Sequence, residues 1–108
     1  MRPLTQADIA SFLTEKPATA IHFDANWDVK YRNIVRSAMA DAEQALGNRV
    51  NFGEVDCDSA IELAKSIPIL NVPTVAYYRD GKLVGALISA DQNVRLHLEC
   101  VLRGDPIG

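Results

Sequence analysis

Cysteine is scarce in this chain. Cys57 and Cys100 are the only two in 108 residues, too few and too widely spaced for a disulfide framework. His97 near Cys100 is one neighbour, too few ligands to complete a zinc site, so neither a metal nor a cofactor is expected. A basic excess is absent as well: eleven Lys and Arg against fourteen Asp and Glu leave a formal charge of −3. The basic residues are scattered, which excludes the electrostatic footprint of a nucleic-acid or anionic-membrane binder. No run of about eighteen apolar residues occurs. Asp8, Glu15 and Lys16 interrupt the first twenty positions, where a secretory signal would need an unbroken apolar stretch. These absences predict a cytoplasmic, soluble protein whose two thiols are free and whose partners are neither nucleic acid nor membrane.

What is present is ordinary globular composition, 48% apolar and 23% charged, in a length that suits a single domain over residues 1–108. Thr5 with Asp8 resembles a capping box, and Ile9, Phe12 and Leu13 behind it share one face of a short helix that Pro17 ends. Ala18 to Ala25 reads as a strand around Ile21 and Phe23. From Asp28, apolar residues recur at three- and four-residue intervals through Tyr31, Ile34, Val35, Ala38, Met39, Ala42 and Leu46, giving a long helix that stops at Gly47. Val50 to Asp56 alternates as a strand, with Gly53 and Glu54 as blemishes. Asp58 or Ser59 caps a helix carrying Ile61, Leu63, Ala64 and Ile67, which Pro68 closes. Val72 to Tyr78, the Asp80-Gly81 turn and Lys82 to Ile88 form an antiparallel hairpin. Ser89 or Asp91 caps a last helix with Val94, Leu98, Val101 and Leu102 on one face, ending at Gly104. The order α-β-α-β-α-β-β-α predicts an α/β fold with a mixed central sheet and helices on both faces.

Phe23-Asp24-Ala25-Asn26-Trp27 before the long helix, Val55-Asp56 at a strand end, and Asn71-Val72-Pro73-Thr74 opening the hairpin resemble the thioredoxin family over nearly the whole chain. In that family a Trp precedes Cys-x-x-Cys, and a Pro, held cis, faces the pair. The resemblance places those positions on Asp28-Val29-Lys30-Tyr31, where neither cysteine is present. Disulfide exchange needs a thiolate and a resolving thiol, and neither a carboxylate nor a phenol replaces them. Asp28 at a helix N-terminus is instead a favourable cap in the field that would otherwise lower a thiol's pKa. The family's buried acid falls on His22. With Asp28 it suggests an acid–base pair, but no nucleophile accompanies it, and a sheet histidine hydrogen-bonded within the interior is the better reading.

The resemblance implies a non-catalytic module that binds a protein or unfolded polypeptide, in the manner of redox-inactive, co-chaperone-type members. Its groove would be built from Trp27, Val72, Pro73, Thr74, Ser89 and Ala90, with Tyr31 as a modified wall. The alternative is a divergent thiol-disulfide oxidoreductase acting through Cys57 or Cys100. A third possibility is a structural domain that associates with itself or with a larger assembly.

Overall fold

A computed structural model describes residues 1–24, 29–56, 74–88 and 93–107. The elements are β1 (Arg2–Pro3), α1 (Gln6–Phe12), β2 (Ala18–Asp24), α2 (Val29–Leu46), β3 (Val50–Asp56), β4 (Thr74–Arg79), β5 (Lys82–Ile88) and α3 (Val94–Arg103). The helix expected after Asp58, and Val72 and Pro73 of the first hairpin arm, lie outside the described residues.

Local chemistry accounts for the boundaries. At the start of α1 the Thr5 backbone N–H and hydroxyl both donate to Asp8 Oδ2, at 3.1 and 3.0 Å, and these bonds hold the Asp8 carboxyl below its usual range. The hairpin turns at Asp80 (φ 51°) and Gly81 (φ 83°), two successive left-handed residues that match the twist of the flanking strands. Gly104 (φ 79°) closes α3.

Two expectations need correction. The first element is not a helix: β1 precedes α1 and pairs in parallel with β3, Arg2 opposite Gly53 and Pro3 opposite Glu54. A two-residue strand has no alternation to read, and its proline is tolerated because the strand lies at the sheet edge. The last helix is capped not by Ser89 or Asp91 but by Asn93, whose carbonyl accepts the His97 N–H at 3.0 Å. Ser, Asp and Asn are all competent caps at two-residue spacing, so local propensity does not choose among them.

The sheet runs β1-β3-β2-β4-β5, parallel between β1, β3 and β2 and antiparallel from β2 to β4 to β5. All seven residues of β2 are buried, because this central strand is covered on both faces. On one face Ala18, Ala20, Val50, Phe52, Val75 and Tyr77 pack against Val35, Met39, Ala42 and Leu46 of α2 and Val94, Leu98 and Val101 of α3. On the other, Ile21, Phe23, Val55, Ala76 and Tyr78 join Leu4 and Phe12, with Ile9 and Leu13 beside them.

Gly53, a blemish in the strand pattern, is explained here: a Cβ at this position would run into Leu4 Cδ1 and stand 2.9 Å from Phe12 Cε2. Gly53→Ala is expected to lower stability by about 1–3 kcal/mol, the usual cost of overpacking a filled interior. Urea denaturation checks this, and an unchanged midpoint would show that α1 yields without cost.

Candidate functional site

The α2-facing side of the sheet changes character along its length. Going up β2, Ala18 and Ala20 give way to His22 and Asp24; going up β3, Val50 and Phe52 give way to Glu54 and Asp56. In-register parallel pairing sets His22 beside Glu54 and Asp24 beside Asp56. On α2 the apolar residues Val35 and Met39 are preceded or accompanied by Arg32 and Arg36, one turn apart. The polar ends of the two strands therefore meet the cationic first half of the helix.

The contacts are specific. Arg36 forks onto Glu54, Nε to Oε2 at 2.9 Å and Nη2 to Oε1 at 2.7 Å. The His22 ring nitrogen Nδ1 lies 2.9 Å from the same Oε2 and donates to it, since a carboxylate can only accept. Arg32 Nη2 meets Asp24 Oδ2 at 2.7 Å, while Arg36 Nη2 is 3.8 Å from that oxygen. His22 Nε2 faces Asp24 Oδ1 across 4.0 Å, and neither atom has a hydrogen-bond partner among the described residues. The His22 side chain is 0% exposed and that of Asp24 3%, so the cluster is interior at its centre, and it reaches solvent at Arg36, which is 43% exposed.

Burial by itself would raise the Glu54 pKa, but the hydrogen bonds from His22 and Arg36 and the guanidinium charge beside it prevail and hold it at about 2, against an ordinary 4.5. Both guanidiniums are pushed the other way, Arg36 by its bonds to Glu54 and Arg32 by its bond to Asp24. Two carboxylates and two guanidiniums thus balance in formal charge around a histidine. The cluster contains no thiol, hydroxyl or amine nucleophile, and its carboxylates are engaged by guanidiniums. Among the described residues no three His, Cys, Asp or Glu side chains gather in a metal-binding arrangement, and no helix is long and apolar enough to cross a membrane.

Of the residues singled out in the sequence, His22 sits at the centre of this cluster as an interior sheet histidine. Thr74 is buried at the start of β4, opposite Phe23 and Ile88. Tyr31 lies in the first turn of α2, immediately before Arg32. Trp27, Asp28, Val72, Pro73, Ser89, Ala90 and Cys57 lie outside the described residues. Cys100 is a free, half-buried thiol on α3 whose sulfur accepts a hydrogen bond from Arg103 at 3.4 Å. An open groove of about 820 Å³ between α2 and α3, lined by Ala38, Ala45 and Leu96 among others, involves none of the cluster residues.

Sequence reasoning overlooks Asp24, Arg32, Arg36 and Glu54 as site residues. Arg32 and Arg36 read as polar spacers of an amphipathic helix, and Glu54 as a blemish. The signal that could have found them is that Glu54 and His22 both fall on inward positions of their strands, where an ionisable side chain requires a partner.

Comparison with known proteins places the chain in context. The thioredoxin family model matches residues 2–99. A TPR repeat-containing thioredoxin from Arabidopsis thaliana is 35% identical over 74 residues, which is 67% of this chain but only 18% of the relative. The chain therefore spans less than a fifth of that protein's length. Among solved structures, mitochondrial thioredoxin 3 of Saccharomyces cerevisiae superposes with a TM-score of 0.79 at 23% identity, covering 96% of this chain and 94% of that one. Plasmodium falciparum thioredoxin gives 0.78 at 19%, covering 95% and 98%. The zinc-bound form of human ERp44 gives 0.72 at 20%, covering 94% of this chain and 30% of that one. At these identities the structural likenesses establish the fold.

The depressed Glu54 pKa sets a pH dependence. Its contribution to stability is complete above the unfolded value of 4.5 and is lost as pH falls toward the folded value of about 2. Glu54→Gln is expected to cost about 1–3 kcal/mol at neutral pH, the scale of hydrogen bonds to a charged group. Urea denaturation from pH 7 down to 2 should show wild type and variant converging across that window; a constant gap would contradict the assignment.

Proposed function

The chain belongs to the thioredoxin family, and from that premise we propose that it is a non-catalytic module that binds an extended or unfolded polypeptide without reducing it. One observation carries the reading: where the family holds its Cys-x-x-Cys, this chain has Asp28-Val29-Lys30-Tyr31, so the thiolate and the resolving thiol are both missing. The cluster supports it. His22, at the position of the family's buried acid, is committed to Glu54, and the charges that surround it are already paired among themselves. Such an arrangement suits a structural role better than proton delivery to a reacting sulfur.

The surface proposed for binding is the one the family resemblance assigns, less Thr74, which is buried between Phe23 and Ile88 within the sheet: Trp27 as an aromatic anchor, Val72-Pro73 offering backbone to an extended peptide, and Ser89-Ala90 at the rim. An amphipathic ring beside exposed main chain is the chemistry that holds a polypeptide by strand addition, with side-chain identity contributing little. The proposed setting is the cytoplasm, where isolated thiols such as Cys57 and Cys100 stay reduced.

The test is insulin reduction by dithiothreitol run beside a binding assay with fluorescently labelled, reduced and carboxymethylated lactalbumin, a permanently unfolded chain. The expected result is no acceleration of reduction and saturable binding that Trp27→Ala weakens by about tenfold, the scale of a hot-spot loss. Acceleration that Cys57→Ser or Cys100→Ser abolishes would instead make the protein an oxidoreductase. Failure to bind the unfolded chain at all would remove the proposal.

A further inference from the structure

Two of the apolar positions that mark α2 in the sequence are not taken up by the core. Val35, Met39, Ala42 and Leu46 are buried against the sheet, whereas Ile34 and Ala38 are half-buried and Ala45 is exposed. With Asp41 these three form a row at spacings of four, three and four residues, which is one side of a helix. The row is a wall of the open groove of about 820 Å³ between α2 and α3, and it runs toward the start of α2 into a second depression of about 390 Å³ that includes Ile34. On the opposite wall stands Leu96, 57% exposed and the most exposed large apolar side chain among the described residues.

We propose that this α2–α3 face is a dimerisation surface and that its occupant is a second copy of the chain. The face is self-complementary in shape. A two-fold axis running along the groove lays α2 of each copy over α3 of the other at the same height, so side chains that share the groove in one copy meet across the pair. Leu96, a projecting side chain, then enters the shallow floor that Ala38 and Ala45 leave in the other copy, and it does so twice.

The face is self-complementary in charge as well. Asp41 is exposed, and among the described residues no cation is paired with it. Arg95 is held by Glu99 one turn on, through a single contact of 3.3 Å between side chains 63% and 34% exposed, a kind of pair that contributes little in water. Across the axis, Asp41 of each copy meets Arg95 of the other. Asp41 and Glu99 count against nucleic acid or anionic lipid as the occupant. A projection, a hollow and both signs of charge on one surface are what a partner bearing the same surface requires, and neither wall includes a residue of the surface proposed for polypeptide binding.

The helices set the strength. The 18 residues of α2 span about 27 Å, and packed helices lie about 8–10 Å apart, so the face offers on the order of 500 Å² per copy. The pair then buries about 1,000 Å², the lower bound for a specific interface, which calls for a reversible dimer with Kd in the micromolar range and not a permanent one.

The experiment is sedimentation equilibrium of the full chain from about 1 to 500 μM, with a reductant present so that Cys100 cannot link copies covalently. Wild type should pass from monomer to dimer within that range. Leu96→Glu, at an exposed position outside the core, should remain monomeric throughout. Asp41→Lys and Arg95→Glu each set like charges opposite one another at both contacts and should weaken association by about tenfold. Mixed together, these two proteins restore opposite charges at both contacts, and their association should return to within about twofold of wild type. Should Leu96→Glu fail to fold, the mixing arm decides. A wild type that stays monomeric, a dimer that Leu96→Glu leaves intact, or no recovery on mixing overturns the proposal.

Discussion

A carboxylate carried into the interior of a protein must find a cation and hydrogen-bond donors there, because the desolvation cost far exceeds what apolar packing around it returns. In this fold that requirement falls at the C-terminal ends of β2 and β3, where in-register parallel pairing brings Glu54 beside His22 and places Asp24 two residues on. The donors arrive from α2. Arg32 and Arg36 are one turn apart, and the same helix face continues into Val35, Met39 and Ala42 within the apolar core. A single helix thus seals the sheet with hydrocarbon along most of its length and with guanidinium at the end that borders the β2–α2 connection. The rest of the cluster depends on that arrangement: the His22 hydrogen bond, the low pKa of Glu54 and the Asp24–Arg32 contact all follow from it.

Much of this architecture is legible in the amino-acid sequence. The spacing of apolar residues marks the extent of α2, Asp80-Gly81 marks the hairpin, and the Thr5/Asp8 pair marks the start of α1, because each is a local signal read within a few residues. What escapes is non-local or too short. β1 has two residues and acquires meaning only against β3. The Asn93 cap competes with two neighbouring candidates of equal chemistry. The charged cluster is assembled from three elements, and two of its members resemble the solvent-facing charges of any amphipathic helix. Glu54 and Gly53, irregularities in a strand pattern, prove to be the informative positions: one is paired with His22 and Arg36, and the other leaves room for Leu4 and Phe12.

The functional reading divides in the same way. The missing thiols at positions 28 and 31 are a fact of sequence, and disulfide exchange at that point has no alternative chemistry available to it. The structure adds that the C-terminal ends of β2 and β3 carry a paired set of charges. On the proposed reading, a thioredoxin-family scaffold without its dithiol holds a polypeptide by shape and backbone contacts and not by reactivity. Fold alone does not dictate the ligand, so the proposed function stands on the residues that replace the dithiol.

Half-buried Glu54 and Arg36, whose guanidinium reaches the solvent edge of the cluster, are balanced by each other and do not contribute independently. A double-mutant cycle with Glu54→Gln, Arg36→Met and the combined variant, followed by urea denaturation at pH 7, measures that coupling directly. A coupling free energy of about 1 kcal/mol is expected, the upper end for a bidentate pair open to solvent on one side, with the double variant less destabilised than the sum of the singles. Additivity within about 0.5 kcal/mol would show that the two ions are solvated separately and would contradict it.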